Sequence, residues 1–337
     1  MINLNKSSIL ITGGTGSFGQ EFIKTILTKY PKIKRLVIFS RDELKQELMR
    51  RKFPETKYKG IRYFLGDVRD YNRLIRALDG IDIIIHAAAL KQVPAAEYNP
   101  SEFIKTNVIG AQNIIEAAIE KKVKKVLALS SDKACAPVNL YGATKLCSDK
   151  LFVAANNYSG GNGSFSIVRY GNVMGSRGSI IPKFIYQAKN GTLSITDKKM
   201  TRFNLTLEES VKMVIFAISN TFGSEILVPK IPSYRIMDLA KSIGPSCKYE
   251  IVGTRPGEKI HEEMISASDS YTTYDIGNYY IILPSKNDKI LKKYKKFNIK
   301  KVRQAFSYNS AENLKFLTIN EIRELIKKNV SKDFKPV

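Results

Sequence analysis

Apolar and polar positions along the chain alternate between two periods. Ser8–Ile11 reads as a short buried strand, and a helical spacing at Phe22, Ile23, Ile26 and Leu27 succeeds it. The same succession recurs, with strand-like runs at Arg35–Phe39, Ile61–Leu65, Ile81–Ile85, Val123–Ser130, Ser166–Arg169 and Glu225–Val228, and helical stretches such as Ser101–Glu120 and Leu207–Ser219 between them. Short apolar runs bounded by polar turns suit strands covered on both faces, and their alternation with helices implies a parallel sheet. The expected fold class is α/β, a doubly wound parallel sheet. A chain of 337 residues is long for one such unit, so a smaller C-terminal domain is expected beside it. Residues 1–172 would form the first domain, 201–228 would rejoin it, and 173–200 with 229–337 would form the second. Thr206 with Glu209 and Thr318 with Glu321 fit capping boxes and read as helix starts.

The segment after the first strand carries chemistry. Thr12-Gly13-Gly14-Thr15-Gly16-Ser17-Phe18-Gly19 joins strand directly to helix, the order that cradles a phosphate at a helix N-terminus. Gly13 allows a tight turn, Gly16 lets backbone N–H groups approach a pyrophosphate, and Gly19 allows helix to pack close on strand. A glycine-rich turn without a ligand is the bland alternative. The motif predicts a Rossmann-type dinucleotide site. The next strand runs into Ser40-Arg41-Asp42-Glu43-Leu44-Lys45, where such a fold meets the adenosine ribose. Arg41, with Lys45 one turn further, can pair with a 2′-phosphate and favours NADP; Asp42 accepting the ribose hydroxyls would favour NAD instead. Ser40 and Glu43 also fit a capping box. Asp67 and Val68, after the third strand, are placed to meet the adenine, and the small residues of His86-Ala87-Ala88-Ala89 suggest backbone passing close under a ligand.

Ser131-Asp132-Lys133 and Tyr141-Gly142-Ala143-Thr144-Lys145 then place a hydroxyl, an acid, a base and a phenol within 15 residues. Tyr141 and Lys145 share a face if helical, and an ammonium beside a phenol favours the phenolate. Tyr-x-x-x-Lys alone is a weak signal in so basic a chain, and Tyr58 with Arg62 shows a chance pair at the same spacing. Its position after a strand, downstream of the glycine loop, gives it weight.

Composition limits the partners. No apolar run approaches the length of a membrane span, and no signal peptide is expected before Ile9. Cys135, Cys147 and Cys247 are too scattered for a disulfide framework or zinc site, and His86 and His261 are far apart, so a reducing cytoplasm and metal-free chemistry are expected. The net charge of +24 exceeds what a cofactor and one anionic substrate would attract, so most of it is read as solvated faces such as Lys121–Lys125 and Lys289–Lys301. A nucleic-acid role lacks a supporting motif.

Taken in order, the glycine loop, Ser131 and Tyr141-x-x-x-Lys145 resemble those of the extended short-chain dehydrogenase/reductases, over almost the whole chain. Within that superfamily the chain is similar to the soluble, inverting UDP-N-acetylglucosamine 4,6-dehydratases that lead towards pseudaminic acid. Ser40–Lys45, Lys91-Gln92-Val93-Pro94, Ser131–Lys145, Arg169–Val173, Gly175–Ser179, Met200–Phe203 and Arg255–Lys259 carry the likeness. Ser131 stands where related dehydratases often have threonine. The resemblance implies cofactor contacts at Gly13, Thr15, Gly16, Ser17, Phe18, Gly19, Ser40, Arg41, Asp42, Lys45, Asp67, Val68, Ala87, Thr106, Tyr141, Lys145 and Val173. It implies a UDP-sugar held by Lys91, Asn172, Arg177, Arg202, Arg255 and Glu258, and a homo-oligomer.

Resemblance and chemistry together suggest a mechanism. Tyr141, as phenolate, would take the C4 hydroxyl proton as C4 is oxidised, with Ser131 and Lys145 supporting it. Lys133, if neutral in a desolvated site beside the positive cofactor, would remove the acidified C5 proton while Asp132 protonates the leaving C6 hydroxyl. A UDP-hexose 4-epimerase needs the oxidation step but not the Asp132–Lys133 pair, and a non-catalytic cofactor-sensing or nucleic-acid-binding protein is the third class.

Overall fold

The computed structural model describes residues 2–176 and 178–337. Its strands are β1 (Ser8–Thr12), β2 (Arg35–Ser40), β3 (Ile61–Leu65), β4 (Ile83–His86), β5 (Lys125–Ser131), β6 (Ser164–Tyr170), β7 (Asn172–Val173), β8 (Thr192–Ile195), β9 (Thr201–Leu205), β10 (Ile226–Pro229), β11 (Ser233–Arg235), β12 (Lys248–Ile251), β13 (Glu263–Ile265), β14 (Thr273–Asp275), β15 (Tyr279–Ile282), β16 (Lys300–Lys301) and β17 (Tyr308–Asn309). Its helices are α1 (Ser17–Lys29), α2 (Glu43–Lys52), α3 (Tyr71–Ala77), α4 (Val93–Tyr98), α5 (Pro100–Phe103), α6 (Gly110–Glu120), α7 (Leu140–Tyr158), α8 (Ile180–Ala188), α9 (Leu207–Asn220), α10 (Ile236–Ile243), α11 (Asp288–Lys293) and α12 (Ile319–Asn329).

Seven strands run parallel in the order β3-β2-β1-β4-β5-β6-β10. Alternate residues of each strand face opposite sides. Ile9, Ile38, Ile85 and Leu127 therefore pack with Phe22 of α1 and Val214 of α9, while Leu10, Val37, Ile84 and Val126 pack with Leu74 of α3, Ile115 of α6 and Phe152 of α7. Helices on both faces explain why the strands read as continuous apolar runs. The strand order reverses beside β1, so a crevice is left outside the carboxyl ends of β1 and β4.

The central sheet is longer than the sequence suggested. β14, β15 and β16, expected in the smaller domain, continue it as antiparallel strands beyond β10. Its edge is the exposed pair Lys300-Lys301, and such charges discourage a second sheet from docking there. A separate core, with Phe184 of α8, Leu193 of β8, Leu239 of α10 and Ile322 of α12, holds the smaller lobe together. The stretch 101–120 is not one helix: a π-helical segment, Ile104–Ile109, separates α5 from α6. Apolar spacing does not register the one-residue widening of such a turn, which is frequent at functional sites. The capping boxes at Thr206 and Thr318 form, whereas α2 is capped by Asp42 and not by Ser40 with Glu43.

One buried ion pair ties the elements beneath the cleft. Arg169 of β6 is 3% exposed and its Nη2 lies 3.2 Å from Asp149 Oδ2 on α7, which also accepts the Ser130 hydroxyl of β5 at 2.8 Å. The same guanidinium donates to the Met264 carbonyl of β13 at 3.1 Å. Arg169→Met leaves Asp149 buried and uncompensated, and urea denaturation should show a loss of about 3–5 kcal/mol. Adding Asp149→Leu should recover part of that loss; a double variant no more stable than the single contradicts this account.

Candidate active site

A cleft of about 910 Å³ opens at the crevice and runs to the smaller lobe. All the site residues expected from sequence line it, except Arg177, which lies outside the described residues. Glycine loop, Ser40–Lys45 tip and Asp67-Val68 occupy one end, Ser131, Asp132, Lys133, Tyr141 and Lys145 the middle, and Arg202, Arg255 and Glu258 the other.

The first end fits a dinucleotide. Gly13 has φ +65°, and a Cβ there would stand 2.9 Å from the Ala88 backbone, so the loop and the tail of β4 meet with no room for a side chain. Thr12 Oγ1 accepts from the N–H groups of Ala87 and Ala88 and shares a hydrogen bond with His86 Nδ1 at 2.9 Å. Burial, then the charge of Lys145, pushes the imidazole down to about 3, so it stays neutral and can accept. On the π-helical segment the Thr106 hydroxyl is buried without a protein partner, an orphan that a cofactor oxygen or nitrogen can satisfy. Arg41 is half exposed and 3.6 Å from Asp67, while Lys45 pairs with Asp42.

The middle is built by a turn and a helix start. β5 ends at Ser131, a 3-10 turn carries Asp132–Ala134, and Asn139 caps α7 by accepting from Gly142 N–H at 2.8 Å. A Cβ on Gly142 would stand 2.3 Å from the Lys133 carbonyl oxygen, so only glycine lets the helix rest on the turn. Ala136, just beyond that turn, is held at φ +43°, local strain of the kind that active-site loops store. Tyr141 and Lys145 both face the cleft from α7. Burial pushes the Tyr141 phenol up; the charge of Lys133 and a hydrogen bond with Ser131 work against it. Lys145 donates to the Leu129 carbonyl at 2.8 Å, and burial holds its pKa below the usual lysine range. The charge that opposes burial of the phenol is that of Lys133, where Lys145 was expected.

Lys133 itself departs from expectation. Its Nζ lies 3.3 Å from Asp132 Oδ1 and 3.0 Å from Oε1 of Glu262, a residue that no sequence motif singles out. Burial disfavours its charge, but the two carboxylates outweigh burial and raise its pKa above the ordinary lysine value. The two carboxylates thus favour the ammonium, where a neutral amine beside the positive cofactor was expected. Burial raises Asp132, with Glu262 adding to the effect and Lys133 opposing it. Glu262 goes the other way: burial is overcome by Lys133 and Arg202, and its carboxyl is lowered. Ser131 Oγ donates to Asp132 Oδ1 at 2.8 Å.

Towards the smaller lobe, Lys91 is lowered by burial and then by the charge of Lys133. Arg202 donates to the carbonyls of Thr201, Lys259 and Ile260, so it braces the segment before Glu262 as well as lining the cleft. Arg255 pairs with Glu258 at 2.9 Å, and the turn between them is held by Asn139 Nδ2 on the Gly257 carbonyl at 2.7 Å. Asn139 lies within the Ser131–Lys145 run and Glu262 in no motif, and the sequence shows neither role because each comes from a contact 118 or 129 residues away.

Comparison with known proteins places these features in a family. Residues 9–284 match the family described as polysaccharide biosynthesis protein. The chain is 51% identical over 332 residues, 96% of its length and 98% of the relative's, to a UDP-N-acetylglucosamine 4,6-dehydratase (inverting) of Campylobacter jejuni. It is 43% identical over 327 residues, 95% of each chain, to a UDP-glucose 4-epimerase of Rickettsia prowazekii. Among solved structures, Pen from Bacillus thuringiensis superposes with a TM-score of 0.87 at 36% identity, covering 97% of this chain and 99% of that one. The chain belongs to the polysaccharide biosynthesis protein family of extended short-chain dehydrogenase/reductases, in company with the inverting UDP-N-acetylglucosamine 4,6-dehydratases.

Proposed function

We propose that the protein removes water from UDP-N-acetylglucosamine, giving a UDP-4-keto-6-deoxy-N-acetylhexosamine with C5 inverted, and that NADP is its cofactor. The observation that carries this reading is the pairing of Lys133 with the buried Asp132 beside Tyr141: a 4-epimerase has use for the phenol but not for an acid and a base next to it. The 51% identity to the Campylobacter dehydratase supports the substrate. By the same likeness we assign the product to the route towards pseudaminic acid, in the cytoplasm, and the working form to a homo-oligomer.

Bound along Gly13–Gly19, Arg41, Thr106 and Lys145, the dinucleotide supplies reversible oxidation at C4. The protein's own groups then handle protons. Tyr141 Oη takes the C4 hydroxyl proton, with the Lys133 charge and the Ser131 hydroxyl opposing the rise that burial imposes on the phenol. The 4-ketone makes the C5 proton acidic, and Lys133 Nζ receives it. Asp132, whose Oδ2 is buried and unpartnered, delivers a proton to the departing C6 oxygen. Asn172, Lys91, Arg255, Glu258 and Arg177 are assigned to the nucleotide sugar, which would lie between the sheet edge and the smaller lobe.

Incubation of the purified chain with UDP-N-acetylglucosamine should give a product lighter by one water in mass spectrometry. Lys133→Ala should cut turnover by about 100-fold or more with affinity for the nucleotide sugar, measured by calorimetry, little changed. A 4-epimer without water loss would favour the activity named for the Rickettsia relatives, and normal turnover of Lys133→Ala at saturation contradicts the base assignment. Arg41→Ala should weaken NADP by about tenfold or more and leave NAD binding unchanged; equal weakening of both contradicts the NADP assignment.

A further inference from the structure

Two carboxylates share one ammonium at the centre of the cleft. Asp132 is 1% and Glu262 3% exposed at the side chain, and Lys133 Nζ lies within 3.3 Å of both. With both acids ionised, two carboxylates and the cations of Lys133 and Arg202 would all have to stay charged largely away from water, an expensive state unless every charge is closely paired. The hydrogen-bonding partners are unequal. Each acid leaves one oxygen, Asp132 Oδ2 and Glu262 Oε2, without a partner, and each shares Lys133, but Glu262 Oε1 also has Arg202 Nε at 3.6 Å and the field of the Lys259 ammonium, whereas Asp132 Oδ1 adds only the neutral Ser131 hydroxyl. Glu262 is also rigidly presented: its N–H donates to Ser310 Oγ at 2.9 Å and its carbonyl accepts from Ser310 N–H at 2.7 Å.

We propose that Glu262 is a positioning residue for water loss: it takes over the ion pair with Lys133, so that Asp132 stays protonated as the acid, and it receives the Lys133 proton when the amine must act as base. This rests on the dehydratase reading above and deepens it. In the resting cluster Asp132 is a carboxylic acid, Lys133 an ammonium and Glu262 a carboxylate. For the chemical step one proton must move from Lys133 Nζ to Glu262 Oε1, against the resting preference of both groups, to leave a free amine. The amine takes the C5 proton, the C5–H electron pair becomes the C5–C6 double bond, and the C6–O pair leaves with the oxygen, which takes the proton of Asp132 and departs as water. Asp132 has lost one proton and Lys133 has gained one, so the cluster holds the same number as before. Passage of the Glu262 proton through Lys133 to Asp132 restores the start.

The Asp132–Lys133 adjacency in the sequence makes the pair look self-sufficient, but a two-member pair would neutralise itself. Asp132 would give its proton away to become the counter-ion of Lys133, and no acid would remain for C6. A third, charge-bearing group resolves this, and Glu262 is the carboxylate the fold brings to Lys133 from the segment leading into β13.

Glu262→Gln keeps the shape and a hydrogen-bonding oxygen but removes the charge. In protein carrying carbon-13 at aspartate carboxyls, infrared spectra of the unliganded wild type at neutral pH should show a carboxylic acid band that Asp132→Asn abolishes. Glu262→Gln should abolish it too, as Asp132 ionises to pair with Lys133. Dehydration by Glu262→Gln should fall about 100-fold with affinity for UDP-N-acetylglucosamine little changed, and Glu262→Asp should recover part of the rate. A band that persists in Glu262→Gln, or turnover equal to wild type, overturns the proposal. Failure of the wild type itself to release water would instead overturn the underlying dehydratase reading, which the infrared result does not depend on.

Discussion

A partly exposed lysine gripped by two buried carboxylates is the interaction on which the site depends. Each charge loses hydration, and only close, well-aimed partners repay it. The grip needs three chain segments to arrive together: the turn after β5 with Asp132 and Lys133, β9 with Arg202, and the strand entry with Glu262. If one of them moved by an ångström or two, the ammonium would be left half-paired, and the protonation states that separate acid from base would collapse into a single neutralised pair.

The surrounding fold reads as the support of that grip. Arg202 bridges to the carbonyls of Lys259 and Ile260 and so fixes the approach of Glu262. Arg169 and Asp149 join β6 to α7 beneath the turn and reach the backbone of β13, so the helix that carries Tyr141 and the strand just after Glu262 share one buried anchor. Asn139 caps α7 with one end of its amide and holds the Arg255–Glu258 turn with the other. Rigid elements therefore meet at the reacting centre from both lobes, which is what precise proton transfer demands.

The sequence made the cofactor half of the site legible because its signals are local. A strand, a glycine turn and a helix succeed one another without interruption at Thr12–Gly19, and Tyr141 and Lys145 share a helix face by spacing alone. The other half is assembled from a distance. Glu262 meets Lys133 across 129 residues, and no pattern in the intervening chain marks it. For the same reason the sequence shows only part of what acts on Lys133: burial is foreseeable from its setting, but of the two carboxylates that outweigh burial only Asp132 is adjacent in sequence. The π-helical segment with Thr106, and the three antiparallel strands that lengthen the sheet, escaped notice because their apolar spacing resembles that of ordinary helix and loop.

If one cleft both oxidises C4 and expels the C6 hydroxyl, the hydrogen removed from C4 should be the one delivered to C6. UDP-N-acetylglucosamine carrying deuterium at C4, turned over by the purified chain and read by proton and deuterium NMR, tests this directly. The account predicts a 4-keto product with the deuterium at C6. Deuterium retained at C4 of an epimerised sugar, or released to solvent, would contradict it.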